Sequence, residues 1–373
     1  MADDGRLYLK PDVSEPGNWQ DLGIIPSGTP AVGIPAGVTY IDQGGRQIRV
    51  FFRSVDGHLN LAWPQGNIWL MQDQGTPPGT KVASNPAAVT YFFDQSIQRV
   101  YCFVVGEDGS LYLNKWDGSW SWVRVGAPGD VRFSSRASLS AINFFDGNEP
   151  QVYVFAEYDN SLYSTQETIG WPWTDHGAPG PLLNMGDDMA AVGYLDLLTK
   201  KTQLFAFVGG FDDRNLYVFD GSKGWENQGR PDEASGISIG AVHYIFETNS
   251  RFGTLFRDAI FAFTPSGPGD LQALYSVGGQ NWLWGNRDTP GNPGVPVTGK
   301  PRAAAFYENS VERLFAAVRG TNGQLYMAWW NDGTQHWDWL RLGFPTLSTA
   351  VHSAKKQAHT AKHAALEKGM VPG

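Results

Sequence analysis

Short runs of alternating apolar and polar residues follow one another along almost the whole chain, each closed by Gly, Pro, Asn or Asp. Alternation with period two predicts β-strands, and the longer period of an amphipathic helix is nearly absent. The runs fall into a repeat. A Leu-Tyr pair recurs as Leu7-Tyr8, Leu111-Tyr112, Leu162-Tyr163, Leu216-Tyr217, Leu274-Tyr275 and Leu325-Tyr326, with Leu59-Asn60 as a variant, and the leucines are 52, 52, 51, 54, 58 and 51 residues apart. After each pair comes a tryptophan-bearing strand, closing as Trp-x-x-x-Gly at Trp19, Trp122, Trp173, Trp225 and Trp339; Trp69 and Trp284 depart from that spacing.

Two further strands precede each pair. The first carries Val38-Thr39-Tyr40, Val89-Thr90-Tyr91, Ile142-Asn143-Phe144, Val192-Gly193-Tyr194, Val242-His243-Tyr244 and Ala305-Phe306-Tyr307, each followed closely by an acid such as Asp42, Asp94 or Asp196. The second is apolar on both faces, as Val152-Tyr153-Val154-Phe155 shows, which is the pattern of a covered middle strand. Steps such as Asp56-Gly57, Asp108-Gly109 and Asn322-Gly323 then turn it into the Leu-Tyr strand.

Four strands per repeat predict an all-β fold, a β-propeller of four-stranded blades, and seven repeats predict seven blades. The N-terminal unit begins at its third strand. Its first strand is then expected from the C-terminus, where Ala350-Val351-His352-Ser353 echoes Ala241-Val242-His243-Tyr244. This gives one propeller domain over 1–353, with 354–373 as a tail or a poorly formed closing strand. If the ends do not pair, the competing architecture is a six-bladed ring with a leftover N-terminal hairpin.

Composition adds Gly 45, Pro 23 and Trp 15, which suits tight turns and an aromatic core. A net charge of −9 argues against nucleic acid and anionic membranes as partners. No run of 18 apolar residues and no signal-type start occurs, so the chain as given reads as soluble, without a membrane span. Its compartment and oligomeric state stay open. The single cysteine, Cys102, lies in an apolar run and reads as a buried thiol.

No motif points to a metal or cofactor. Gly236-Ile237-Ser238-Ile239-Gly240 has nucleophile-elbow spacing but is followed by a strand instead of a helix. His359 and His363 are four apart without a third ligand. The acids after the first strand read as turn caps. Tryptophan is the stronger signal. Trp122, Trp173, Trp284 and Trp339 read as wedges between blades, whereas Trp120, Trp171, Trp282 and Trp337 lie two residues earlier on the same face. With Trp63, Trp116, Trp329 and Trp330 they exceed one wedge per blade, and a flat aromatic beside hydrogen-bonding groups suits the apolar face of a sugar.

At these residues the chain resembles the lectin propellers. The segment Arg313 to Tyr326 is similar to the bacterial seven-bladed lectins, and Ile48-Arg49-Val50-Phe51-Phe52 to the fungal fucose-specific lectins. The fungal resemblance implies a site built from an Arg, a third-strand Glu and an aromatic. Arg49, Arg99 and Arg313 match the Arg, while Gln151, Gln203 and Ala259 do not; the Glu is replaced throughout, by Leu9, Leu61, Leu113, Ser164, Val218, Ser276 and Met327.

Two readings follow. The first is a carbohydrate-binding propeller whose ligand, a glycan, is held by Arg49, Arg99, Arg313, Trp63, Trp116, Trp120, Trp171, Trp282, Trp329 and Trp337. The second is a single-pocket enzyme acting on a small organic ligand, similar to the lectin-like fungal hetero-Diels–Alderases, without metal, cofactor or nucleophile. Its hydrogen-bond donors would be His243, His352, Tyr40, Tyr91 and Tyr194.

Overall fold

The computed structural model describes residues 6–344 except for short segments, the longest being 11–18, 231–237 and 287–293. Among the described residues every regular element is a β-strand. Six antiparallel sheets of four sequential strands form blades 1 to 6, spanning 31–73, 87–126, 138–175, 185–227, 240–286 and 297–343. The first strands contact one another in order around the ring and line an axial cavity.

The core is divided among the blade interfaces. Each buried apolar cluster joins two neighbours, for example Phe103, Leu111 and Leu113 of blade 2 with Val152, Val154 and Tyr163 of blade 3. One residue dominates these interfaces. Phe51, Phe103, Phe155, Phe207 and Phe263 hold the same place on the second strand of five blades and are at most 1 % exposed; blade 6 has Ala317 there.

Among the described residues six four-stranded blades are complete where the repeat predicts seven. The seventh position is nonetheless marked. Leu7–Leu9 and Gln20–Gly23 pair as a hairpin, with Leu7 opposite Gly23 as Leu325 is opposite Gly343. Trp122, Trp225 and Trp284 each donate from the indole to the carbonyl just past the last strand of the preceding blade, at Gln74, His176 and Gln228. Trp19 likewise donates to Leu342 of blade 6, at 3.1 Å. On its other side the hairpin packs Leu7 and Leu22 against Phe52, Trp69 and Met71 of blade 1. The hairpin therefore stands where the third and fourth strands of a seventh blade belong. The proposed closing strand, with His352, lies outside the described residues, as do His359 and His363.

Strand pairing explains the Leu-Tyr signature. The tyrosine donates to the turn residue four positions upstream, as Tyr112 to Asp108 (2.8 Å) and Tyr217 to Asp213 (2.5 Å), while the same carboxylates cap Ser110 and Asn215. In blade 6, Asn322 takes the acid's place and donates from its amide to Tyr326 (2.8 Å). The turn glycine comes next. Gly57, Gly109 and Gly269 have φ of 84°, 78° and 95°, and their carbonyls accept from Val82, Phe133 and Val297, which lead into or begin the next blade. A Cβ on Gly109 would lie 2.8 Å from that of Arg132, so Gly109→Ala adds a clash to left-handed strain and is expected to cost about 1–3 kcal/mol in denaturant unfolding.

Two repeat assignments shift. In blade 5 the Leu-Tyr position is Leu271-Gln272, since Pro265 pairs with Leu271 as Val105 pairs with Leu111; Leu274-Tyr275 sits three residues further along. In blade 6, Ala304 opposes Phe315 as Val38 opposes Arg49, so the first-strand triplet is Ala304-Ala305-Phe306. Sequence similarity alone misses a one-residue slip, yet such a slip reverses which face a side chain takes.

The turn carries a pH dependence. Burial pushes the Asp108 carboxyl up, but hydrogen bonds from Ser110 and Tyr112 and the charge of Arg124 outweigh it and leave the group below its ordinary value. The Tyr112 phenol is raised, by burial first and then by Asp108. A lowered carboxyl stabilises the fold above its unfolded pKa and loses that contribution as pH falls through the folded value; a raised phenol stabilises below its unfolded pKa and loses that contribution as pH rises through the folded value. The thermal midpoint should thus fall below about pH 4 and above about pH 10, and Asp108→Asn should flatten the acid limb. An acid limb of undiminished slope in that variant would refute the role of the turn.

Candidate functional site

The clefts between blades are built from equivalent positions, so they can be compared one by one. Between blades 1 and 2 a cavity of about 270 Å³ opens. Blade 1 contributes Tyr40 from its first strand, Arg49 from its second, Leu61 and Trp63 from its third and Gln72 from its fourth. Blade 2 contributes Val100 and the rings of Trp116 and Trp120, whose centroids are 5.5 Å apart.

Arg49 sits at the centre of this arrangement. Its guanidinium carbon lies 5.5 Å from the Tyr40 ring centroid and 5.9 Å from that of Trp63, a cation–π arrangement on two faces. One nitrogen, Nη1, donates to the Ile48 carbonyl (3.0 Å) and reaches Gln47 Oε1 at 3.5 Å. Among the described residues no carboxylate comes within ion-pair distance of it. Gln72 is directly opposite Leu61 in the strand register, so an amide stands beside the position where the resembling lectins have their acid. The cleft thus combines three indole faces, one phenol face, one charged fork and one amide.

The other clefts are filled at the same positions. Register places Tyr101, Tyr153, Phe205, Phe261 and Phe315 where Arg49 stands. Arg99 is two residues earlier in register, opposite Tyr91, and Arg313 likewise, opposite Phe306. Between blades 2 and 3, Tyr101 donates its hydroxyl to Glu167, and Arg99 lies 3.8 Å from the same carboxylate. Between blades 4 and 5 the place of Trp63 is taken by the buried Asp220, and between blades 5 and 6 Phe261 stacks on Tyr275 at 5.6 Å.

The first tryptophan of each pair has a structural contact in every described case. Trp120, Trp171, Trp282 and Trp337 meet Phe51, Phe103, Phe207 and Phe263 of the preceding blade edge to face, at 5.5–5.8 Å. Trp120 also borders the open cleft between blades 1 and 2. Trp329 shares Trp63's register on blade 6, opposite Asp338.

The candidate hydrogen-bond donors of the enzyme reading are not gathered in one place. Tyr40 lines the cleft of blades 1 and 2. Tyr194 stacks on His243 at 4.3 Å between blades 4 and 5, and His243 Nε2 lies 2.9 Å from the buried Asp258. Burial lowers the His243 pKa, with Asp258 partly opposing, and raises that of Tyr194. The side chain of Tyr91 lies outside the described residues. Ser238 lines the axial cavity and leads into a strand, Gly240–Ser250, while Gly236 and Ile237 lie outside the described residues.

This ring of blades with inter-blade clefts has the β-propeller fold seen in lectins. No protein-family model matches the chain. A fucose-specific lectin of Aleuria aurantia is 29 % identical over 230 residues, covering 58 % of this chain and 69 % of that protein. Among solved structures, the six-bladed Aleuria aurantia lectin aligns with a TM-score of 0.50 and 20 % identity over 84 % of this chain and 96 % of its own. The BP39L lectin of Burkholderia pseudomallei reaches 0.58 with 19 % identity over 88 % and 89 %, and the SapL1 lectin, solved with α-methyl fucoside, 0.52 with 17 % over 85 % and 98 %. The comparisons lend no support to the enzyme reading.

Proposed function

We propose that this chain is a carbohydrate-binding propeller with one principal sugar site, the cleft between blades 1 and 2. The observation that carries the reading is the open guanidinium of Arg49 among Tyr40, Trp63, Trp116 and Trp120, an arrangement that no other described cleft repeats. Indole faces receive the apolar face of a pyranose, and Arg49 with Gln72 meets its hydroxyls. A volume of about 270 Å³ suits a single sugar ring; it falls just below the ~300–1,000 Å³ of pockets for larger ligands.

The names of the relatives support a glycan, and fucose is the first sugar to test. Leu61 removes the acid that the resembling lectins use, so Gln72 has to serve the hydroxyl contacts from the neighbouring strand. The reading makes the chain monovalent where repeated sites would gain avidity. A glycan array followed by titration calorimetry tests it: one sugar class, bound at one site per chain, is expected. Several equivalent sites per chain, or no binding across the array, would overturn the reading.

A further inference from the structure

The axial cavity, about 1310 Å³, is separate from the sugar cleft and has its own chemistry. Its wall carries four cations, Arg136, Arg214, Lys300 and Arg302, against two carboxylates, Asp188 and Asp212, in a chain whose net charge is −9. Both carboxylates are already engaged. Asp212 accepts from the backbone and side-chain nitrogens of Asn184, at 3.4 and 2.7 Å. Asp188 of blade 4 accepts the Ile239 amide at 3.3 Å and pairs with Lys300, which crosses from blade 6 and also donates to the Met189 carbonyl at 3.1 Å.

Arg302 has no such partner among the described residues. Its side chain is exposed on the cavity wall, and desolvation by the surrounding protein lowers its pKa. Its presence is not a requirement of the scaffold. The register-equivalent residues of blades 1 to 5 are Ala36, Ala87, Ser140, Ala190 and Gly240, all small, and each opposes the buried Phe. In blade 6 both members of the pair change, to Arg302 opposite Ala317. Burial and the neighbouring Arg302 charge draw the Lys300 pKa down to about 7, as expected of two cations held close together. An added anion would relieve that repulsion in a setting where charge-assisted hydrogen bonds are strong.

We propose that the axial cavity is a second binding site, for a small organic acid whose carboxylate is received by Arg302 and Lys300. The small side chains around it, among them Ala87, Ala141, Ala191, Ala241 and Ala303, leave room for the rest of such a molecule. The site does not depend on the sugar cleft, and Arg49→Ala leaves it intact.

Glucuronate serves as the probe, with glucose as its uncharged counterpart and sodium chloride at equal ionic strength as the control for screening. Calorimetry on the full chain should give saturable 1:1 binding of glucuronate, weakened at least tenfold by Arg302→Ala and unchanged by Arg49→Ala. A second measurement uses the wild-type protein alone. Acetylation by N-hydroxysuccinimidyl acetate, followed by peptide mass spectrometry, should be slowed at least fivefold at Lys300 by glucuronate, with the exposed Lys223 unaffected. Equal binding by Arg302→Ala, equal protection by chloride, or a Lys300 acetylation rate indifferent to glucuronate would each overturn the proposal.

Discussion

Arg49→Ala is expected to weaken sugar binding about 30- to 150-fold, the loss of a charge-assisted hydrogen bond on the order of 2–3 kcal/mol. The reason lies in what the cleft would then contain. Arg49 is its only charged group among the described residues, and without it a pyranose keeps the faces of Tyr40, Trp63, Trp116 and Trp120 but has Gln72 as the main polar partner. Arg49→Lys should recover only part of the loss, because a lysine places one point charge where the guanidinium presents a planar fork. Arg99→Ala provides the contrast. Its guanidinium already lies beside Glu167 and the Tyr101 hydroxyl, so removal should leave sugar affinity within about twofold. Calorimetry on the three variants decides the matter: an Arg49→Ala protein that binds as tightly as wild type, or an Arg99→Ala protein that loses binding, places the sugar elsewhere.

The two arginines show how far the sequence could be read. Both precede an apolar second-strand run and look equivalent, yet pairing puts Arg49 opposite Val38 and Arg99 opposite Tyr91, two residues apart in register. Alternation and turn chemistry suffice to predict blades, because they are local and recur with each repeat. Cleft occupancy does not recur. It depends on which side chain from the next blade reaches across, as Glu167 reaches Tyr101, and such pairings span 66 residues of chain. The same holds for the axial cavity, where Lys300 meets Asp188 from 112 residues away and across an intervening blade. A comparison among blades could have found Arg302, since it breaks a column of small residues, but only after the sixth triplet is shifted by one position to Ala304-Ala305-Phe306.

The surplus tryptophans have a structural explanation that composition could not supply. As candidates for sugar contact they exceeded the one wedge each blade needs, and the structure gives the first member of each pair a partner, a buried second-strand phenylalanine of the preceding blade. A ligand site then arises where this shared contact coincides with an unfilled position beside it. Between blades 1 and 2 that position holds Arg49 and stays open; between blades 2 and 3 it holds Tyr101 and is closed by Glu167.

Phe103→Ala should be the most destabilising single change in the scaffold, at about 3–5 kcal/mol. Phe103 is fully buried, and it meets Trp171 edge to face at 5.7 Å and Tyr101 at 6.1 Å. Truncation removes the ring's burial, its aromatic contacts and the support of the Tyr101 side that carries the hydroxyl to Glu167. Trp171→Phe offers a graded comparison, since it keeps an aromatic edge on Phe103 and should cost less than half as much. Because each core cluster belongs to one interface, the loosening should be local before it is global. Amide hydrogen exchange should accelerate first in Gln98–Val105 and Leu111–Trp116 of blade 2 and in Glu149–Tyr158 of blade 3, with blade 5 protected as in the wild type. Uniform acceleration around the ring would instead mean that the blades share one cooperative core, and the division of the interior into separate interfaces would have no energetic meaning.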